Sequence, residues 1–189
     1  QKVDYRISVK LDDKLHRLYA DLAFDYYNNS PNTLDSLYLH VWPNAYKNGT
    51  TALARQLKGE GTKISLMDTS DLGAISQLDF KINGKAVAWG YDPKNIDIVR
   101  IKLSEPLAPG KSLTLTTPFT VKIPSGEISR LGHIGQSYQI TQWYPKPAVY
   151  DCKGWHAMPY LNQGEFYSEF GSFDVSITLP KNYVLGATG

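Results

Sequence analysis

Val3, Tyr5, Ile7 and Val9 alternate with polar residues, and a period of two predicts a strand with one buried face. After the turn signal Asp12-Asp13-Lys14 the alternation resumes from Leu15 to Tyr27, with Leu18, Ala20, Leu22, Phe24 and Tyr26 sharing a face. Leu37 to Trp42 predicts a third strand, ended by Pro43, which has no N–H to give a ladder. Leu53 and Leu57 stand one helical turn apart in TTALARQLK, which predicts a short helix stopped by Gly59. Gly61 to Gly73 follows neither period and is left unassigned. Asn83-Gly84 lies between LDFKI and KAVAW and predicts a hairpin, since a type I′ turn needs two residues with positive φ. Ile96 to Leu103 predicts another strand, and Pro106 to Gly110 a turn. Ser112 to Ile123 predicts a strand or strand pair bent at Pro118, and Ser172 to Leu179 a last clear strand closed by Pro180.

About eight strands with closely spaced turns and one helix predict an all-β fold: a large curved antiparallel sheet or sandwich with at most one or two short helices. No linker or repeat divides the sequence, so residues 1–189 are expected to form a single β domain. The last strand signal falls close to Gly189, which leaves that domain either complete or cut short of its final strands.

Composition narrows the function classes. Twenty basic residues against eighteen acidic ones, with no basic block, do not suggest a nucleic-acid partner. No apolar run approaches the ~20 residues needed to span a bilayer as a helix. One cysteine, Cys152, excludes an intrachain disulfide and a cysteine-based zinc cluster. Asn28-Asn29-Ser30 and Asn48-Gly49-Thr50 match the glycosylation sequon, a pattern that also arises often by chance.

The chemistry concentrates in Gln136–Asp174, where ten aromatic residues from Tyr138 to Phe173 mingle with Asp151, Glu165, Glu169 and Asp174. His16, His40, His133 and His156 form no HExxH pair, and His40 reads as a satisfied sheet histidine. Asp151 with His156 is a weak ligand pair, and Glu165 with Glu169 is a glycosidase-like acid pair whose simpler reading is two surface acids. Trp143, Tyr144, Tyr150 and Trp155 are rings that stack on sugars or pack on a second domain. Gln136, Gln139 and Gln142 recur at a spacing of three, and neutral amides that both donate and accept suit a peptide backbone or an ammonium group.

The run QITQWYPKPAVYDCKGWHAMPYL, followed by GEFYSEFGSFDVSITLPKNYVLGATG, resembles the N-terminal domain of the aminopeptidase N family of zinc metallopeptidases, most nearly its Bacteroidetes-type members. The opening strands, YRISVKLDDKLHRLYADLAFDYYNNSPNTLDSLYLHVWPNAY, are similar to the start of that domain, and the resemblance covers nearly the whole chain. It implies a saddle-like β domain that caps a thermolysin-like catalytic domain. That second domain carries the HExxH zinc motif and the GxMEN-type substrate motif, neither of which occurs here. The implied cofactors are none in this chain and zinc in the parent enzyme. The implied partners are the catalytic domain of the same polypeptide and, through it, the N-terminus of a peptide substrate.

The family places a Gln of this domain in the pocket for the substrate's free amine, upstream of an aromatic-Pro pair that Tyr144-Pro145 matches. Gln136, nine residues before Pro145, has the family spacing, with Gln139 and Gln142 as the other choices. Where the commoner pattern has Arg residues and a Pro-Cys pair, this chain has Gln142-Trp143 and Pro145-Lys146, so the register among the three stays open. Trp143, Tyr144, Tyr150 and Trp155 are then expected at the interface with the catalytic domain. The parent is expected in the periplasm, at the outer membrane or secreted, with a cytoplasmic location still open. Two other functions are carried alongside: a stand-alone carbohydrate- or protein-binding module, and a glycosidase using Glu165 and Glu169.

Overall fold

The structure is a computed structural model that describes residues 1–61 and 71–188. Most of the unassigned stretch between Gly61 and Gly73 therefore lies outside the described residues.

β1 (Lys2–Asp12) and β2 (Arg17–Tyr27) pair antiparallel along their whole length, with Tyr5 opposite Phe24 and Ile7 opposite Leu22. Their alternate residues are buried, as a half-buried pleated strand requires. β3 (Leu34–His40) stops before Trp42; Trp42–Tyr46 instead forms a turn of 3-10 helix with Pro43 in its first turn. The strand signal over-ran because a proline suits a helix start and cannot continue a ladder.

α1 (Ala52–Gly59) begins at Thr51, whose hydroxyl accepts from the Ala54 N–H at 3.2 Å. The helix includes Gly59, and the left-handed residue comes two positions later at Gly61, with φ 71°.

β4 (Ala74–Ser76), β5 (Lys81–Ile82) and β6 (Lys85–Ala86) are short. Asn83 and Gly84 have φ of 49° and 79°, as the I′ turn demands, and Asn83 both donates to and accepts from the Thr114 backbone. The hairpin is only two pairs long, because the chain then crosses to the other sheet as β7 (Trp89–Tyr91). β8 (Ile98–Leu107) runs through Pro106, where a turn is predicted, and meets β3 across a bulge between Leu34 and Ser36. β9 (Ser112–Lys122) is continuous through Pro118. Pro118 faces Asp21 of β2, and along the other edge it falls between the partners of β5, ending at Thr116, and of β4, starting at Thr120. On that edge its missing N–H breaks no ladder.

The remaining strands are β10 (Gly132–Ile134), β11 (Ser137–Gln139), β12 (Lys146–Pro147), β13 (Val149–Asp151), β14 (Gly154–His156) and β15 (Gly171–Thr178). One sheet has the order β15-β1-β2-β9-β5-β6 with β4 also on β9, and the second has the order β12-β3-β8-β7. β10-β11 and β13-β14 are separate hairpins. All pairings between named strands are antiparallel except β15 on β1. The inward faces of β1, β2 and β9 close on those of β3 and β8 in one apolar core that includes Phe24, Leu37, Leu39, Ile101 and Leu115. The fold is an all-β sandwich. A second core, Trp42, Tyr46, Leu53, Leu57, Ile128, Leu131 and Tyr160, sits under α1.

Candidate functional site

The segment from Gly132 to Phe170 runs along the joint between these two cores, and its own sequence dictates how it is held. At Gly132 a Cβ would sit 2.4 Å from the Gly126 Cα, so only glycine lets β10 lie this close to the preceding loop. Gln136, at the tip of the β10-β11 hairpin, folds back on the β1-β2 turn. Its Nε2 donates to the Asp13 carbonyl at 3.1 Å, and its Oε1 accepts from the Tyr183 hydroxyl. Beside it, the His16 and His133 rings stack at 3.7 Å, and the Tyr138 hydroxyl lies 2.7 Å from His16 Nδ1. Gln139 is exposed on β11.

The ring residues turn inward. Trp143 packs on Phe119 and edge-on against Tyr144, and Tyr144 meets Tyr5 at 5.5 Å. Burial raises the Tyr144 hydroxyl to about 12. Tyr150 and Trp155 face each other across the β13-β14 hairpin, and Trp155 covers Tyr26 and Tyr38. All four are half-buried against the main core, each with a rim left at the surface. His156 Nε2 reaches Asp151 at 2.8 Å across the same hairpin. That contact, with the Lys153 N–H, holds the Asp151 carboxyl below its ordinary range. Glu169 accepts from the Tyr150 N–H at 3.4 Å and lies 3.7 Å from the chain's amino group, whereas Glu165 is exposed. Among the described residues, no group of three His, Cys, Asp or Glu is placed to hold a metal ion. Asn28 is buried and donates to the Asn32 and Leu107 carbonyls, and Asn48 accepts from Thr50, so both sequon asparagines have structural roles.

The most unusual chemistry centres on a residue the sequence reading passed over. Lys146, in a run Pro145–Val149 that is buried throughout, is only 4% exposed. Its ammonium donates to Gln142 Oε1 and, at 2.8 Å, to Ser168 Oγ, and it lies 4.2 Å from the centre of the Trp42 ring. No carboxylate pairs with it among the described residues. Desolvation drives its pKa down to about 7.

Gln142 holds a left-handed backbone, φ 52°, rare for a side chain of its size. His40 pairs with Lys146 in the β12-β3 register and stacks on the same Trp42 ring at 4.3 Å. Its Nε2 accepts from the Met158 N–H, which leaves the proton on Nδ1, on the side of the His156 carbonyl. Burial first, then the charge of Lys146, lowers His40 to about 3. The sequence signal existed: a lysine between two prolines, followed by Ala-Val, has no exposed face to occupy.

Two shallow surface depressions, about 490 and 300 Å³, lie elsewhere. The larger lines the outer face of β1, β2 and β9, between Arg6, Asp21 and Lys81, away from the three glutamines.

No family model matches the chain. No curated protein matches it either. Among solved structures it is similar to an M1 zinc metallopeptidase from Deinococcus radiodurans, at 15% identity and TM-score 0.38 over 65% of this chain and 20% of that one. A mutant of the M1 zinc metallopeptidase from the same organism aligns at 16% identity and TM-score 0.47 over 95% of this chain and 32% of its own. A two-domain M1 zinc metallopeptidase mutant bound to L-arginine aligns at 14% identity and TM-score 0.47 over 96% and 32%. The chain thus spans about a third of the length of these structures, or less.

Proposed function

We propose that this chain is the non-catalytic N-terminal β domain of a zinc-dependent aminopeptidase, packing on a catalytic domain and lining the pocket for the substrate N-terminus. The observation that carries this reading is the form of the segment with the strongest family resemblance. Its rings are sunk into the sandwich, while Gln139 and the rims of Trp143, Tyr144, Tyr150 and Trp155 stay at the surface. Such a segment makes a rigid wall with polar groups along it rather than a self-contained reaction centre. A sugar platform needs open ring faces, and these rings spend theirs on Phe119, Tyr5, Tyr26 and Tyr38. Of the three amides, Gln136 has both ends engaged inside the chain, yet its Oε1 retains a lone pair that an ammonium group needs. Gln142 Oε1 keeps a lone pair too, but it already faces the Lys146 ammonium, whose charge repels a second cation. Amine recognition therefore falls to Gln136 or Gln139.

Zinc belongs, in this reading, to the catalytic domain, where it activates water. This chain supplies walls and orientation. The test is kinetic: the full-length parent should hydrolyse aminoacyl-anilides in a zinc-dependent way, and this chain alone should not, with or without zinc. Gln136→Ala and Gln139→Ala in the parent should separate the two amides, the correct one raising KM about tenfold with a smaller effect on kcat. Turnover by the isolated chain, or a parent with no peptidase activity, would overturn the proposal.

A further inference from the structure

Lys146, Gln142 and Ser168 are joined through one nitrogen, so the Gln142 and Ser168 side chains lie within about two hydrogen-bond lengths of each other. Their polarity is one-sided. An ammonium cannot accept, so only the Gln142 oxygen can face it, and the Gln142 NH2 is turned away with two N–H groups that have no partner among the described residues. Ser168 Oγ already accepts from Lys146, and its own O–H is uncommitted among the described residues. Ser168 is exposed and Gln142 half-buried, so the group is reached from the Ser168 side. Behind it, His40 is fully buried against the Trp42 ring that Lys146 also covers. These uncommitted donors adjoin a buried positive charge, and among the described residues no acid balances it. A buried ammonium without a counter-charge is costly unless something offsets it. Gln142 makes this contact from a left-handed backbone, φ 52°.

We propose that Lys146, Gln142 and Ser168 form a carboxylate-binding site, in which one oxygen of the ligand accepts from Ser168 and Lys146 and the other from the Gln142 NH2. The charge of Lys146 repels a cation, and a neutral amide leaves that charge unbalanced. The site rests on this chain's own geometry and stands whether or not a catalytic domain adjoins it.

The test uses the isotope-labelled chain and NMR of the Lys146 Cε and the Gln142 side-chain NH2. Sodium acetate, against sodium chloride at equal ionic strength, should shift both signals saturably. It should also raise the titration midpoint of Lys146 by at least one pH unit, since a bound carboxylate favours the charged amine. Binding should weaken as pH rises from 7 to 9. His40, the other titratable group against Lys146, stays neutral over that range. N-acetyl-Ala-Ala with a free C-terminus and N-acetyl-glutamate α-methylamide separate the two sources of a carboxylate, a chain terminus and an acidic side chain. Saturable binding of either supports the site. Lys146→Met should abolish binding, and Ser168→Ala, which lies on the surface and leaves the core intact, should weaken it about threefold. The proposal is overturned if no carboxylate gives a saturable shift, or if N-acetyl-Ala-Ala-amide binds as well as the free acid.

Discussion

The β1-β2-β9 sheet and the Pro145–Ser168 region bury side chains in opposite ways. In the sheet each buried position is apolar or a hydroxyl, and backbone polarity is consumed by the ladders. Around Trp42 the backbone is irregular, so buried polar side chains serve it instead. Asp97 accepts from the Tyr160 N–H at 2.6 Å, Asn44 ties Ile96 to Ile75, and His40 holds Met158. The cost is visible in protonation: burial raises Asp97 to about 6 and lowers Lys146 and His40. A regular lattice satisfies itself, whereas an irregular one needs groups whose charge state then depends on pH. That is why the sheet is an inert scaffold and the second region is where ligand chemistry can reside.

The comparison breaks first at the scaffold. Phe24→Ala empties a fully buried site at the centre of the sheet and should lower unfolding free energy by about 3–5 kcal/mol, read from denaturant midpoints. Lys146→Met tests the other side and should act in the reverse direction. The folded lysine titrates near 7 and the unfolded one near 10.5, so the unfolded chain holds the extra proton between those values. Wild-type stability therefore rises with pH across that window, and the cost of burying the charge is complete below it. The methionine variant should be more stable by roughly 2–4 kcal/mol at pH 6, with the gap closing by pH 10. An unchanged slope in a pH series of melts would show that Lys146 is not buried as charged.

Thr51→Ala removes the cap of α1 and its bond to the Ala45 carbonyl beside the second core, and should cost about 1–2 kcal/mol. Smallest is Arg6→Ala. The Arg6–Asp25 contact at 2.8 Å lies on the open face of the sheet, and losing it should change stability by at most about 0.5 kcal/mol, less in high salt. A larger loss there would mean that the outer face also bears on stability.

The alternation in Val3–Val9 and Leu18–Tyr26, the Asn83-Gly84 turn and the short helix around Leu53 and Leu57 were legible because each is a local rule: two-residue periodicity, positive φ, an apolar pair one helical turn apart. The strand ends were less so. Pro118 looked like a break, but β5 and β4 leave a gap beside it. Trp42 looked like strand, but Pro43 turned it into the 3-10 segment. For the three glutamines, equal spacing hid unequal fates: Gln136 spans to Asp13 and Tyr183, Gln139 stays exposed, and Gln142 caps a buried ammonium.

By itself, then, the sequence determined that this protein is an all-β fold and which face of each long strand is buried, because those properties repeat every second residue along the chain. Only the tertiary structure decided that Lys146 is enclosed by Trp42, Gln142 and Ser168, drawn from separate parts of the chain. A charge's environment is set by what closes around it in space, and no local period encodes that.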